Sequence, residues 1–386
     1  MIRSAALESI RYDCSVMKTH DIRAERRETK GYPMGKSRIV TGYRPTGKLH
    51  LGHWFGNLQN MLKLQDTHEA YYFVADLHAL TSDWQSPGEI ARYTEEMVLD
   101  WCAAGLDPEK CTIYRQSDIP EVAELDLYFN MVLPMSWLER TPSYKEQRSQ
   151  ISDKDLGNVG FFLYPSLMAA DIAIMAADGV PVGEDQLPHL ELTREIVRRF
   201  NNTYGRLLTE PQAVIAQEGA RVPGSDGRKM SKSYHNSIYI SDSPEAIQKT
   251  VMGFMTDPAR KLKTDPGNPD ICPLHQIHKL IADDGEIAEW ESCCRCAECG
   301  CVAHKRKIAE ELIAYLAPFQ ARRAELAKDP NFAREVLAAG AQKARPVAKR
   351  TVASVRELIG LDPQTELTAH INHEKSDLGD TAPSFL

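Results

Sequence analysis

The sequence has no long apolar run, and this absence narrows the class of protein. No stretch of its 386 residues approaches the roughly 18–20 consecutive apolar side chains that a membrane-spanning helix needs. The N-terminus also lacks the apolar segment of a secretory signal peptide. We therefore expect a cytoplasmic protein with no membrane partner.

A surplus of basic residues is also missing, since 46 Lys and Arg stand against 54 Asp and Glu, for a net charge of −8. A chain of this charge is not coated with basic surface, but a local basic face can still bind nucleic acid. Lys and Arg do cluster near the end, in HKRKIAEEL, ARRAELAKD and QKARPVAKR. Taken alone, these clusters fit either solvated helix surface or a nucleic-acid-binding face.

Evenly spread cysteines, as in a secreted disulfide scaffold, are absent too. Six of the nine cysteines lie between residues 272 and 301. Because no export signal is present, reduced thiols are expected, and clustering of this kind indicates a metal site more than disulfides.

Patterns of buried strand and amphipathic helix alternate along the first part of the chain. The strand patterns are RIVTGY (38–43), AYYFVADLHAL (70–80), CTIYRQSD (111–118) and GVPVGED (179–185). Helical patterns between them include one that starts at Ser86-Pro87 and stops at Gly105, one around 123–139 and one around 164–177. This alternation predicts an α/β fold with a Rossmann-like, doubly wound parallel sheet.

Strand patterns stop near residue 240, and helical patterns continue alone. We therefore predict a catalytic domain over 36–240 and an all-helical domain over 241–362. Residues 1–35 are predicted to be a disordered extension; the alternative is a true start at Met34, with residues 1–33 upstream of it. The polar segment 363–386 is predicted to be a disordered tail.

The segment PTGKLHLGH, residues 45–53, joins the first strand to the first helix. Ligands of open parallel sheets bind at the carboxyl ends of the strands, where helix N-termini attract anions. His50 and His53 can reach a polyphosphate there, and Gly52 between them lets a backbone come close. The alternative interpretation is a turn with incidental surface histidines.

The segment KMSKS, residues 229–233, lies in a glycine-rich loop late in the predicted sheet domain. Lys229 and Lys232 suit a mobile clamp on phosphate, because lysine is a compact point charge. A clamp that closes as charge develops on the leaving group stabilises the transition state. The alternative is a basic surface loop.

HLGH followed by KMSKS resembles the class I aminoacyl-tRNA synthetases. Too few residues separate the motifs for a large editing insertion, and the overall size resembles the tyrosine/tryptophan subgroup, whose members typically work as homodimers. Residues 164–200 are closely similar to the tryptophanyl-tRNA synthetases. The resemblance implies activation of L-tryptophan with ATP and Mg²⁺ to tryptophanyl-adenylate, followed by transfer to tRNA(Trp).

One helical face near residue 164 can be interpreted from its chemistry. Tyr164, Met168 and Asp171 are spaced i, i+4 and i+7 among apolar residues. A carboxylate in such surroundings needs a partner, and an indole N–H is a donor without acceptor capacity. We therefore predict that Asp171 recognises the tryptophan ring. The alternative is an Asp satisfied by a neighbouring Arg or backbone N–H.

The resemblance implies further site residues. It places Gln186 and His78 in the tryptophan pocket, with Asp76 facing the same cleft; the alternative is a capping Asp and a structural His. Lys145 is a further candidate for a phosphate-reaching lysine. The catalytic residues implied are His50, His53, Lys229 and Lys232. The implied ATP-binding residues are Gly42, Arg44, Thr46, Gly52, His53, Gly183, Glu184, Asp185, Val222, Lys229, Met230, Ser231, Lys232 and Ser233.

Some tryptophanyl-tRNA synthetases hold a [4Fe–4S] cluster near the anticodon with a lone Cys followed by Cys-x6-Cys-x2-Cys. Cys272, Cys294 and Cys301 match this pattern, but His304 stands at the fourth position. His304 can ligate an iron–sulfur centre, or complete a Cys₃His site for Zn²⁺. Alternatively, Cys299 or its neighbours Cys293 and Cys296 replace the missing thiolate, or no metal binds.

Three other functions stay open at this stage. A tyrosyl-tRNA synthetase shares the fold and both motifs, but its pocket segment differs from residues 164–186. An adenylyltransferase outside translation shares the first motif without needing the helical domain. An inactive synthetase-like module that binds RNA or senses metal would not need both motifs intact.

Overall fold

The computed structural model describes residues 36–140, 156–183, 186–215, 222–262 and 264–361. These residues belong to one compact unit that begins at Lys36. The predicted extension (1–35), the predicted tail (363–386) and three candidate site residues lie outside the described residues; the three are Lys145, Glu184 and Asp185.

Five parallel strands form the centre of the molecule, in the order β3-β2-β1-β4-β5. Their bounds are β1 Arg38–Tyr43, β2 Glu69–Val74, β3 Thr112–Arg115, β4 Gly179–Val182 and β5 Gln212–Ile215. The predicted Rossmann-like α/β sheet is confirmed. The sequence interpretation missed β5, which has the same length as the recognised strands β3 and β4.

Helices connect the strands and cover both faces of the sheet. The first, α1, spans residues 51–67 and consists of Leu51–His53, a π-helical turn Trp54–Leu58, and Gln59–Thr67. The described helices that follow are α2 Asp76–Asp83, α3 Pro87–Ala104, α4 Glu121–Val132, α5 Met135–Glu139, α6 Val159–Ile174, α7 Leu187–Tyr204, α8 Pro244–Met252, α9 Pro273–His278, α10 Asp284–Arg295, α11 Cys301–Leu326 and α12 Phe332–Leu358. Within the described ranges, none of these helices has the length and apolar character needed to cross a bilayer.

Local sequence explains where several helices begin and end. The prediction for α3 is confirmed: Pro87 occupies its first turn, and Gly105 ends it with a φ of 117°, a left-handed conformation that suits glycine. The predicted single helix around 123–139 is wrong, since Leu133 and Pro134 adopt extended backbone between α4 and α5. Proline disfavours helical conformation in the residue before it, which accounts for the break.

The C-terminal helices pack directly on the sheet region. In α11, Arg323 donates to Asp100 of α3 (Nε to Oδ1 2.6 Å), and the hydroxyl of Tyr315 accepts from the indole N–H of Trp54 at 3.0 Å. The domain boundary near residue 240 stays a prediction. Residues on both sides of it belong to the compact unit that begins at Lys36.

Part of the basic C-terminal cluster is engaged within the chain. In α12, Arg345 and Arg356 form ion pairs with Glu121 and Glu124 of α4. Arg345 belongs to the QKARPVAKR stretch, and Arg356 follows it in α12. The pair made by Arg345 places this stretch against α4 and favours the structural interpretation for this part of the cluster.

A glycine makes the closest approach between α12 and the sheet. A Cβ on Gly340 would overlap the carbonyl group of Ile113 in β3. Since that carbonyl belongs to a strand fixed by its neighbours, neither side can move cheaply.

We expect Gly340→Ala to lower the free energy of unfolding by about 3 kcal/mol or more, because overpacking against backbone cannot relax. Urea unfolding measures this change. Gly88→Ala is the matched control, since Gly88 lies in the first turn of α3 with no atom near its Cβ position. Equal stabilities for the two variants would contradict the packing described.

Candidate active site

The structure brings the two sequence motifs together at the carboxyl end of β1. Residues 49–51 pair with residues 238–240: Leu51 N–H donates to Ile238 O at 3.0 Å, and Ile240 N–H donates to Leu49 O at 3.1 Å. The ammonium group of Lys232 donates to Gly47 O at 2.8 Å. The KMSKS loop therefore lies directly over the PTGKLHLGH turn.

The two histidines of the first motif lie in contact, with their ring planes tilted by 41°. Their ring centroids are 3.8 Å apart, and the backbone N–H of His50 donates to His53 Nδ1 at 3.1 Å. Burial, with Lys232 and Lys229 nearby, lowers the pKa of His50 to about 3, and burial also lowers the pKa of His53. Both rings can therefore donate a hydrogen bond to phosphate at neutral pH without carrying charge.

Packing against the ring of His50 favours glycine at position 52. A Cβ at this position would lie 2.9 Å from the ring of His50, which folds back over it. Glycine therefore lets the two histidines of the motif share one side of the turn. The predicted approach of a ligand to Gly52 stays a prediction.

A buried asparagine holds the KMSKS loop. Asn236 is 2% exposed; its Oδ1 accepts from Ser231 N–H at 2.9 Å, and its Nδ2 donates to Lys229 O at 3.3 Å. Met230 N–H in turn donates to Val222 O at 3.0 Å. Asn236 was not identified from the sequence, since no pattern marks a residue that acts through loop backbone.

The other predicted nucleotide residues lie at the ends of two neighbouring strands. Gly42 and Thr46 are at the end of β1, and Gly183 directly follows β4; Gly183 O accepts from Gln186 N–H at 3.0 Å. The chain leaves β1 toward β2 on one side, while β4 lies on the other, so this crevice is the topological switch point where such sheets bind ligands. Gly42 is also required by packing, because a Cβ there would collide with the ring of Phe73.

Asp171 lies in the interior of α6, and no Lys or Arg of the described ranges forms an ion pair with it. Its side chain is 2% exposed, and Gln116 Nε2 donates to its two oxygens at 3.0 and 2.8 Å. His78 Nδ1 is 3.5 Å away. Burial raises the pKa of Asp171 well above its usual range, and the Gln116 hydrogen bonds only partly oppose this.

The alternative interpretation of Asp171 does not hold in the described part of the chain, where neither an Arg nor a backbone N–H contacts it. Gln116 is a site residue that the sequence interpretation missed. Its position directly after β3, at the carboxyl edge of the sheet, was the available signal.

The remaining predicted pocket residues are distributed around α6. Tyr164 and Met168 share this helix with Asp171, and the hydroxyl of Tyr164 is 2.8 Å from His189 Nε2 in α7. Gln186 is exposed at the start of α7. Asp76 Oδ1 accepts from Ser117 N–H at 3.0 Å, which joins the start of α2 to the turn after β3.

Cys272, Cys294 and Cys301 line one cavity together with Arg260 and His304. The guanidinium Nη1 of Arg260 lies 4.0 Å from Cys294 Sγ and 3.9 Å from Cys301 Sγ. Burial raises the pKa of Cys294 and outweighs the opposing effect of the Arg260 cation, and burial raises the pKa of Cys272 as well. The fourth predicted ligand fits less well, because His304 Nε2 lies 3.1 Å from His278 Nδ1.

A parallel sheet with a histidine-containing turn after its first strand, closed by a lysine-rich loop, defines a nucleotide-binding enzyme of the class I synthetase type. The sequence matches the family described as tRNA synthetases class I (W and Y) over residues 33–317. The chain therefore belongs to this family.

The chain is similar to named relatives along most of its length. It is 45% identical to the tryptophan–tRNA ligase of Thermotoga maritima, over 84% of this chain and 99% of that protein. It is 40% identical to the tryptophan–tRNA ligase of Aquifex aeolicus, over 84% and 100%. A crystal structure of the Campylobacter jejuni tryptophanyl-tRNA synthetase, complexed with ADP and tryptophan, superposes with a TM-score of 0.77 at 34% identity, over 84% of this chain and 100% of that chain.

We expect Asn236→Ala to loosen the KMSKS loop, since it removes the acceptor of the Ser231 N–H. Loss of about 1–2 kcal/mol corresponds to roughly tenfold faster hydrogen exchange at the Ser231 amide. Asn331→Ala is the control, because Asn331 is exposed and its side chain makes no capping bond. An unchanged exchange rate in Asn236→Ala would show that the loop is held by other contacts.

Proposed function

We propose that this class I synthetase is a tryptophan–tRNA ligase. It activates L-tryptophan with ATP to tryptophanyl-adenylate and transfers the amino acid to tRNA(Trp), acting as a homodimer in the cytoplasm. The observation that carries the proposal is Asp171, a buried carboxylate with no cationic partner among the described residues, on the predicted amino-acid-binding face. The tryptophan ligases similar along most of the chain support the same substrate.

The chemistry of Asp171 suits an indole. An ionised carboxylate accepts hydrogen bonds only, and the indole N–H donates only, so the two are complementary. Gln116 supplies two hydrogen bonds, which leaves acceptor capacity on the carboxylate for a ligand. A substrate without this donor leaves a buried carboxylate poorly satisfied, and sites of this kind reject such analogues strongly.

The phosphate chemistry rests on the two motifs. His50 and His53 donate hydrogen bonds to the phosphates as neutral imidazoles, and Lys229 and Lys232 contribute positive charge as pyrophosphate leaves. Magnesium bound to ATP shares that charge stabilisation. No side chain forms a covalent bond to the substrate in this scheme, since positioning and electrostatic stabilisation supply the rate enhancement. The neutral state of His50 and the bond from Lys232 to Gly47 support this arrangement.

The three-cysteine cavity is proposed as a metal site apart from the chemistry. Cys272, Cys294 and Cys301 would hold a [4Fe–4S] cluster or Zn²⁺, with His304 or Cys299 as the fourth ligand. Either group would act as a structural clip between α9, α10 and α11. The support is that the three cysteines line one cavity, in which Cys294 and Cys301 both lie about 4 Å from Arg260.

Charging of a tRNA(Trp) transcript with radiolabelled amino acid tests the proposed function. We expect charging that needs both ATP and tryptophan and that tyrosine does not support. Charging with tyrosine would favour a tyrosyl-tRNA synthetase. Absence of charging with every amino acid, in a folded chain, would favour an inactive synthetase-like module.

We expect Lys232→Ala to lower kcat for tryptophan-dependent ATP–pyrophosphate exchange by about 10²-fold or more, because charge stabilisation in the transition state is lost. Lys249→Ala is the control, since Lys249 is an exposed lysine in α8. An unchanged exchange rate in Lys232→Ala would remove this lysine from the catalytic set.

We expect Asp171→Ala to lose selectivity for tryptophan over phenylalanine while KM for ATP stays within about twofold. The lost hydrogen bond to a charged group corresponds to roughly 1.5–3 kcal/mol, or at least tenfold in KM for tryptophan. Pyrophosphate exchange with each amino acid gives these constants.

Two buried glutamines provide a matched comparison for this pocket. Gln116→Leu should also raise KM for tryptophan, since Gln116 positions Asp171. Gln65→Leu should leave it unchanged, because Gln65 Nε2 instead donates to Gly105 O at 3.2 Å. A normal KM in Asp171→Ala would end the case for indole recognition by this residue.

A further inference from the structure

Three histidines of the C-terminal helices meet in the interior. His275 and His278 belong to α9 and are 1% and 0% exposed, while His304 lies in the second turn of α11. Each offers a ring nitrogen, and these three atoms all lie within 4.8 Å of one another. Together we call them the histidine cluster.

Two of these rings contact glutamate carboxylates. His275 Nε2 is 3.0 Å from Glu291 Oε1, and His278 Nε2 is 2.9 Å from Glu311 Oε2. Such a bond places the ring proton on Nε2 and leaves the Nδ1 lone pair available, as the carboxylate partners of metal-binding histidines do.

The Nδ1 atoms of His275 and His278 remain as possible metal ligands. His275 Nδ1 is buried and has no hydrogen-bond partner among the described residues. His278 Nδ1 is 3.1 Å from His304 Nε2, which is also a typical separation of two nitrogens on a tetrahedral zinc ion whose Zn–N bonds are about 2.0–2.1 Å. A buried acceptor without a donor is costly, and a cation would satisfy it.

We propose that His275, His278 and His304 form a site for a borderline divalent cation, Zn²⁺ in the first instance, whose ligands differ from the three cysteines. The two sites are adjacent, since His275 and His304 also line the three-cysteine cavity. Three imidazoles suit zinc, with water or another group as the fourth ligand. His304 coordinates through Nε2, so the ring proton that it now shares with His278 moves to its Nδ1. Glu291 and Glu311 fix the other two rings.

The site would link α9 to α11, and His304 would then not be the fourth ligand of the three-cysteine site. The fourth position of the three-cysteine set then passes to another residue, such as Cys299, whose backbone carbonyl already contacts Arg260. The ring of His304 supports this assignment, since it stacks on Trp290 with centroids 4.3 Å apart and an interplanar angle of 15°. This inference rests on the histidine cluster itself and not on the proposed synthetase activity.

Cobalt loading of the full chain distinguishes the two sites, because thiolate ligands give Co²⁺ an intense charge-transfer band and imidazoles do not. We expect the metal-free Cys272→Ser variant to lose that band and still bind about one Co²⁺ per chain with the weak d–d spectrum of nitrogen ligands. We expect His278→Gln to bind the nitrogen-ligated Co²⁺ at least tenfold more weakly, while the thiolate band is kept. His275→Gln should behave in the same way.

His68→Gln is the matched control, since His68 lies just before β2, and its ring nitrogen contacts Thr67. The proposal is overturned if Cys272→Ser binds no Co²⁺, because that measurement needs no change in the histidine cluster. It is also overturned if His304→Gln removes the thiolate band while His278→Gln leaves all bound metal in place, which would assign His304 to the cysteines. Urea unfolding of each variant verifies that it is folded.

Discussion

The hydrogen bonds from Gln116 to the buried carboxylate of Asp171, with His78 beside it, are the contacts on which the proposed amino-acid site depends. A charge in apolar surroundings is costly unless it receives hydrogen bonds, and Gln116 supplies only part of what an ionised carboxylate accepts. The pKa of Asp171 is raised accordingly, chiefly by burial. A ligand that donates one hydrogen bond in this place is stabilised, and a ligand of the same shape without that donor is not. On this proposal, selectivity follows from acceptor capacity that Gln116 leaves open on the carboxylate.

The parallel sheet places this pocket beside the phosphate-binding motifs. The crevice between β1 and β4 collects the PTGKLHLGH turn, while pairing of residues 49–51 with 238–240 brings the KMSKS loop over it. Gln116 lies at the end of β3, and Asp171 lies on α6, so each functional group is carried on a rigid element or held by one. Asn236 supplies the same support for the loop. Positioning of this kind is what phosphate activation of a carboxylate requires from a protein.

Features fixed by local sequence could be predicted, and features that depend on distant partners could not. The strand–helix alternation, the Pro87 start and Gly105 end of α3, and the grouping of Tyr164, Met168 and Asp171 on one helix follow from neighbours in sequence. Strand β5 was not recognised, and the break at Pro134 was overlooked although proline signals it. Gln116 and His278 have partners 55 and 26 residues away, and a single sequence does not show such pairings. Asn236 bonds to loop backbone five and seven residues away, and no sequence pattern marks that role.

The most direct test of indole recognition compares tryptophan with its sulfur analogue, 3-benzothienylalanine, which keeps the ring shape but has no N–H group. Both are offered to the unmodified chain in the ATP–pyrophosphate exchange assay at saturating ATP. If Asp171 accepts the indole hydrogen bond, kcat/KM for the analogue should fall by about 10²-fold or more, since the carboxylate is left poorly satisfied. Equal kcat/KM values for the two amino acids would contradict recognition through Asp171.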